Sequence, residues 1–483
     1  MKRRRTLGTL GLLLALLVAA GPLPAPGGAR AAAFIGPDLQ AALATLDPAT
    51  QIEVVVNFDP AVTNGGALAT AIQGLGAGTL TFKHLDSLGA LATASQVGSI
   101  AGLPGVTEVY PNRQLRYYLH ESVPSIGADR VWSDLGVTGR GIGVAVLDSG
   151  VDGTHPDLAF GSKTIQNVKI VFSQTDVFTT RDTPTTGPVY VENVANTDTS
   201  SGHGTHVAGI AAGSGGASDG YYTGVARGAS VVGIGTGDTL LILWALAGFD
   251  YLLDRAAEYN VKVVNNSWGS SGGSAGWDPK DPINRATKTV HDRGITVVFA
   301  AGNEGRNELG VQEQDTMNVY AQAPWVIAAA AGCKLTSPDP TNSAARCPDG
   351  TLADFSSRGV PDSAQFHPTL TAPGVHIVSA RALTGAALTV LGGPHDAQTC
   401  NIGTAHLAHY TCASGTSMAS PHVAGTVALL QEAAGGRLSP DQVKDLLVQT
   451  ARPMVKSDGT PYALWEAGAG YLDAYAAVQA AQR

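Results

Sequence analysis

The chain has 483 residues, 44% of them hydrophobic and only 14% charged. That balance suits a large buried core and excludes a disordered polar chain. Beyond residue 33, 25 Lys and Arg stand against 39 Asp and Glu, and this net charge of −14 argues against nucleic acid or an anionic membrane as partner.

Lys2, Arg3, Arg4 and Arg5 precede an apolar run, Leu7–Ala20. Small residues follow, with Ala29-Arg30-Ala31 or Ala31-Ala32-Ala33 offering cleavage sites. Residues 1–33 therefore read as a secretory signal peptide. The run falls short of the roughly 20 residues that a membrane span needs, so no membrane anchor is expected. A secreted, extracellular protein is the expectation.

Residues 34–119 differ in texture. Strands are predicted at Ile52–Phe58, Thr79–His84, Gly89–Ala94 and Val106–Tyr110, with helices at Ala67–Gly74 and Ser95–Leu103. That is a small βαββαβ α+β unit with an antiparallel sheet. Residues 111–124 are polar and aromatic, with little helix or strand signal, and read as an exposed linker.

From residue 120 the pattern is α/β. Apolar runs at Ile142–Leu147, Ser230–Ile234, Val261–Asn265, Ile295–Ala300 and Trp325–Ala330 read as strands covered on both faces. Helices are predicted between them at Gly204–Ala212, Leu240–Glu258 and Pro282–Arg293. A mostly parallel, doubly wound sheet with helices on both faces follows, with sites expected at the carboxyl ends of its strands. The Ser/Gly/Thr-rich stretches 173–201, 213–223 and 269–276 read as surface loops. The four cysteines, Cys333, Cys347, Cys400 and Cys412, suggest two disulfides in an exported chain. Pairing neighbours, Cys333–Cys347 and Cys400–Cys412, closes two short loops and is the connectivity expected.

The chemistry-bearing residues stand at element ends. Asp148 closes the first α/β strand. His203 and His206 open a helix in Gly202-His-Gly-Thr-His-Val-Ala-Gly. Asn303 follows the strand Thr-Val-Val-Phe-Ala. Ser417, after Gly415, reads as a hydroxyl at a helix start, ahead of the apolar run Val423–Leu430, with Pro421 taken as a first-turn residue. Two readings of Ser417 stand open, a helix N-cap or a nucleophile beside free N–H groups. The order Asp, His, Ser supplies the parts of acyl transfer. His203 would take the Ser417 proton and Asp148 would orient and stabilise the imidazole. Asn303 and the Ser417 N–H would bind the oxyanion.

Together these motifs, Val-Leu-Asp148-Ser-Gly-Val-Asp-Gly-Thr-His-Pro-Asp-Leu, His203-Gly-Thr-His-Val-Ala-Gly, Ala-Ala-Gly-Asn303-Glu-Gly and Gly-Thr-Ser417-Met-Ala-Ser-Pro-His-Val-Ala-Gly, resemble those of the subtilisin-like serine proteases, the subtilases of peptidase family S8. The resemblance covers roughly residues 121–478. It implies a subtilisin-like catalytic domain over 120–483 and selects His203 over His206. It also implies an inhibitory, chaperone-like propeptide of the I9 type over 34–119. The implied function is a serine endopeptidase, made as a self-processing zymogen and secreted, monomeric, with its own propeptide as intramolecular inhibitor and proteins or peptides as substrates. No cofactor is required for that chemistry.

The resemblance further implies that substrate adds as a strand between Ser267-Trp268-Gly269 and Gly235-Thr236-Gly237. Trp268 stands where the family often has Leu, and either lines a pocket or packs in the core. Asp157 matches a position that ligates a structural Ca²⁺ in many relatives, but the partner loop, residues 213–222, lacks their oxygen-rich pattern. Two stretches, 159–201 and 382–412, exceed the compact relatives and read as surface loops near the active-site face. An esterase would carry Gly-x-Ser-x-Gly in the order Ser, Asp, His, and a dead binding module would not need all four of Asp148, His203, Asn303 and Ser417.

Overall fold

The computed structural model describes residues 33–483 apart from 113–115, 118–121, 172–187, 238–239, 308, 335–346, 348–349, 385–386, 389–395, 397–399 and 401. The leader expected over residues 1–33 lies, but for Ala33, outside these residues.

Residues 34–111 form a five-stranded sheet in the spatial order Phe34–Ile35, Val106–Pro111, Gln51–Phe58, Ser87–Thr93, Gly78–Thr81. The first strand is parallel to its neighbour and the others pair antiparallel. Helices Gly65–Gly74 and Val97–Ala101 connect them. Side chains of the central strand alternate between faces. Val54 and Val56 pack with the unit's own helices, while Val55 faces the rest of the chain.

The second sheet has eight strands: Leu370–Pro373, Val326–Gly332, Thr296–Ala300, Val261–Asn266, Gly143–Asp148, Ser230–Gly235, Thr164–Val171 and Val189–Val191. All neighbours are parallel except the last pair. Helices His203–Ala212 and Thr416–Ala433 cover one face, and Ile242–Arg255 and Pro282–Asp292 the other. Within the strand Gly143–Asp148, Val144 and Val146 enter the first core and Ala145 and Leu147 the second.

Several expectations need correcting. The stretch 382–412 is not a loop throughout, since it ends in the strand Tyr410–Ala413, which pairs antiparallel with Ile377–Ala380. The stretch 159–201 is not simply a loop, since it contributes Thr164–Val171 and Val189–Val191 to the sheet. Buried Thr164, Gln166 and Asn167 broke the apolar run that would have marked the first of these. The linker 111–124 holds a strand, Arg116–Tyr117, that pairs antiparallel with Trp268–Gly269. Its partner is distant in sequence, so no local pattern announces it. Pro421 lies inside the helix Thr416–Ala433, not in its first turn. Pro421 offers no N–H to the Ser417 carbonyl four residues back. Ser267 Oγ donates to that carbonyl instead, at 2.7 Å.

The N-terminal unit rests on helices 242–255 and 282–292. Gly89 abuts Leu243 so closely that a Cβ there would lie 2.9 Å from Leu243 Cδ2. The Asp250 carboxylate accepts the backbone N–H groups of Lys83 and His84 at 2.9 and 2.7 Å. Arg285 meets Glu108 at 3.1 Å. Asn112 Oδ1 accepts the Leu243 N–H at 2.7 Å, capping a helix whose own N-cap residue, Leu241, has no side-chain acceptor. Cys333 and Cys347 stand 5.5 Å apart at Cα, and Cys400 and Cys412 6.3 Å, both within disulfide range.

Candidate active site

Asp148, at the carboxyl end of its strand, is fully buried. Its Oδ1 contacts His203 Nδ1 at 2.6 Å and accepts the Ser149 N–H at 2.7 Å. His203 is the first residue of its helix, and Gly202 before it takes φ = 80°, a conformation glycine adopts without strain. With a carboxylate against Nδ1, that nitrogen carries the hydrogen and Nε2 is the basic one. His206 points elsewhere, with Nε2 on the Thr411 carbonyl at 3.1 Å.

Ser417 is the second residue of the helix Thr416–Ala433, and Gly415 occupies the N-cap. The cap reading of its side chain is therefore corrected. Ser417 Oγ donates to the Ser267 carbonyl at 2.8 Å, reciprocating the bond from Ser267 Oγ. Asn303 is half-buried beside it. Its Oδ1 accepts both the N–H and the hydroxyl of Thr416, at 2.9 and 3.0 Å, while the Gly302 N–H donates to Thr416 Oγ1 at 3.0 Å. The amide oxygen is thus committed and its orientation set, with the Nδ2 donor on the other side. The two helices that carry His203 and Ser417 cross closely at Gly425, where a Cβ would come within 2.7 Å of the Ala211 carbonyl.

The expected substrate edges join the same region. Thr236 and Gly237 donate their N–H groups to the carbonyls of Asp148 and Ser149, at 2.8 and 3.1 Å, and so follow directly from Gly235 alongside the Asp148 loop. Trp268 is fully buried, stacks near Phe249, Phe299 and Tyr320, and donates Nε1–H to the Leu147 carbonyl at 2.8 Å. Its ring belongs to the core, so of the two readings the pocket one is dropped.

Asp157 stands apart from these residues. Its carboxylate accepts the Ala217 N–H at 2.8 Å and the Tyr410 hydroxyl at 2.8 Å. A hard cation needs six to eight oxygen ligands, and the donors already seated on Asp157 do not fit one. Among the described residues, no group of three or more His, Cys, Asp or Glu side chains is placed to hold a metal ion.

Some residues here escaped the sequence reading. Asp198, inside the stretch read as the surface loop 173–201, is buried against Ser149 and the start of the His203 helix. The only hint in the sequence was Gly202, a helix start with no side chain to cap it. Ser267 also mattered for its hydroxyl, which Pro421 makes necessary.

Residues 139–471 match the Subtilase family of S8 peptidases, so the chain belongs to that family and is a serine endopeptidase. It is 29% identical over 374 residues to the serine protease AprX of Bacillus subtilis, covering 76% of this chain and 74% of that protein. It is 34% identical over 369 residues to an extracellular protease of Xanthomonas campestris, covering 71% of this chain and 52% of that one. The crystal structure of fervidolysin from Fervidobacterium pennivorans, an enzyme related to subtilisin, superposes with a TM-score of 0.60 at 21% identity, covering 93% of this chain and 63% of that chain. That likeness bears on the fold alone. Among the described residues, no helix is long and apolar enough to cross a membrane.

Two buried histidines near the site give a pH dependence. Burial lowers the pKa of His206 to about 3 and that of His422 to about 4. In the unfolded chain a histidine titrates near 6.5. Between these values the unfolded state binds the additional protons, so stability falls as pH drops from about 6.5 towards 4. The expected slope is roughly 1.4 kcal/mol per pH unit for each histidine. Thermal melts of an inactive variant at about pH 7 and about pH 5 read it directly, and His422→Gln should flatten the slope. A melting temperature that ignores pH across this window would contradict it.

Proposed function

We propose that the chain is an exported serine endopeptidase, made as a pre-pro-enzyme whose residues 34–119 inhibit it until it cleaves itself within 111–124. Ser417 is the nucleophile, His203 the general base and Asp148 its orienting carboxylate. Asn303 Nδ2 and the Ser417 N–H form the oxyanion hole. The observation that carries this reading is the buried 2.6 Å contact of His203 Nδ1 with Asp148 in a chain that belongs to the subtilases.

The steps follow from these assigned roles. Ser417 Oγ leaves the Ser267 carbonyl, passes its proton to His203 Nε2 and attacks the substrate carbonyl carbon. The developing oxyanion takes hydrogen bonds from Asn303 Nδ2 and the Ser417 N–H, donors already fixed before the reaction. The tetrahedral intermediate collapses as His203 returns the proton to the leaving amine. Water, deprotonated by the same imidazole, then attacks the acyl carbon, and His203 returns the proton to Ser417 Oγ as the acid leaves.

Substrate is taken as a strand against Ser267-Trp268-Gly269, with Gly235-Thr236-Gly237 on the other side. In support, the chain's own Arg116–Tyr117 lies antiparallel on Trp268–Gly269, as a bound peptide would. Main-chain bonding of this kind favours protein substrates of varied sequence. Export and a mature extracellular enzyme fit the leader pattern of residues 1–33 and the name of the Xanthomonas relative.

Self-processing is tested by expressing the wild type and Ser417→Ala in a protease-free host and reading N-termini by mass spectrometry. The wild type should yield a new N-terminus within 111–124 and the variant should remain a precursor. Equal processing of both would sink the proposal.

A further inference from the structure

Asp198 is a buried carboxylate that the roles above leave without a task. Its Oδ1 accepts the Ser149 hydroxyl at 3.0 Å and the Gly202 N–H at 2.8 Å. Its Oδ2 accepts the Thr205 N–H at 3.0 Å and the Thr205 hydroxyl at 2.6 Å. Every contact on the carboxylate is a donor. Burial raises the Asp198 pKa, and the charge of Asp148 adds to the rise, while the Thr205 and Gly202 bonds oppose it. The Gly202 and Thr205 N–H groups can only donate, one to each carboxylate oxygen, and they favour the ionised form against the effect of burial. The other titratable groups about it are Asp152, whose N–H donates to Thr205 Oγ1 at 2.9 Å, and His203, which directly follows Gly202.

The donors arrive from two elements. Ser149 leaves the strand directly after Asp148, whereas Gly202 and Thr205 bracket His203 on the first turn of its helix. Ser149 is itself a bridge. Its Oγ accepts the Gly204 N–H at 2.9 Å, and its N–H donates to the same Asp148 Oδ1 that contacts His203. Gly202 cannot cap the helix, so Asp198 and Ser149 satisfy its leading N–H groups from outside. The seat is tight: a Cβ on Gly204 would fall 2.1 Å from the Gly150 carbonyl oxygen and 3.0 Å from Asp148 Cβ.

We propose that Asp198 is a positioning residue for the Asp148–His203 pair, locking the first turn of the His203 helix to the end of the Asp148 strand and placing a second fixed negative charge near the imidazole. The proposal rests on His203 being the general base. A carboxylate that only capped the helix would hold Gly202 and Thr205. This one also holds Ser149, and through it the backbone on which Asp148 sits. A small rotation of the helix would open the 2.6 Å contact, and errors of that size are costly in a preorganised site.

The test uses full-length Asp198→Asn, which keeps the shape but turns an NH₂ towards a donor. Rates are taken per competent site, counted with an active-site titrant. A fall in kcat of roughly ten- to a hundred-fold is expected, with KM changed by no more than about twofold. The acid limb of kcat/KM should move to lower pH, because loss of a nearby negative charge disfavours the imidazolium. A lower melting temperature with kcat per site and the acid limb both unmoved would mean a structural cap and overturn the proposal. Should Asp198→Asn give no folded enzyme, Ser149→Ala decides, since it cuts both links that the Ser149 hydroxyl makes between the Asp148 strand and the His203 helix, to Asp198 and to the Gly204 N–H, and leaves Asp198 on Gly202 and Thr205. A loss of kcat at unchanged KM supports the proposal and an unchanged kcat overturns it. His203→Ala is run alongside: activity surviving there would overturn the assignment of the base, a failure readable apart from the Asp198 result.

Discussion

Replacing Ser417 by alanine is expected to lower kcat on the order of 10⁶-fold, the scale known for subtilisin itself, and replacing His203 as well is expected to cost little more. The two side chains do one job. Without the hydroxyl, His203 has no nucleophile to deprotonate. Without the imidazole, the Ser417 hydroxyl stays donated to the Ser267 carbonyl at 2.8 Å and gains no basicity. Loss of either therefore idles the other, and the residual rate comes from substrate positioning and the oxyanion donors. Single-turnover rates of Ser417→Ala, His203→Ala and the double variant measure this coupling. Losses that multiply in the double variant would mean that the residues act independently, and the proposed proton transfer between them would be wrong. His203→Ala should also melt lower than Ser417→Ala, because it removes a partner from the fully buried Asp148 carboxylate.

The strands that carry the candidate site are legible in the sequence for a simple reason. Gly143–Asp148 and Thr296–Ala300 are covered on both faces, so each is a mostly apolar run with its functional polar residue at or just past the carboxyl end. Asp148 and Asn303 announce themselves there as breaks in the pattern. What stayed hidden depends on partners far along the chain. Arg116–Tyr117 becomes a strand only because Trp268–Gly269 offers it an edge. The helix at Ser417 begins at Thr416 and runs through Pro421 because Ser267, 150 residues away, serves the carbonyl that the proline abandons. Trp268 is a core residue because Phe249, Phe299 and Tyr320 close round it. Asp198 lies in a polar stretch that reads as a loop, and burial turns it into an external cap for a helix that starts with glycine. Four-residue strands such as Ile377–Ala380 and Tyr410–Ala413 are too short to show a period, and only their mutual pairing defines them.

Replacing Asn303 by alanine is expected to lower kcat by about 10²–10³-fold with little change in KM, since an oxyanion donor acts on the transition state and not on the bound substrate. Alanine alone would not prove the role, because Asn303 also anchors Thr416, the residue immediately before the nucleophile. Its Oδ1 accepts the Thr416 N–H and hydroxyl, so truncation leaves both without that acceptor. Asn303→Asp separates the two effects. Aspartate keeps an acceptor for Thr416 and should hold the helix start close to its native place, with a melting temperature nearer the wild type than that of the alanine variant. It replaces the Nδ2 donor by an oxygen, which repels a developing oxyanion. The aspartate variant is therefore expected to be the more stable of the two and no more active. If it instead turned over substrate like the wild type, Asn303 would be an anchor for Thr416 only, and the stabilisation of the oxyanion would fall to the backbone N–H of Ser417.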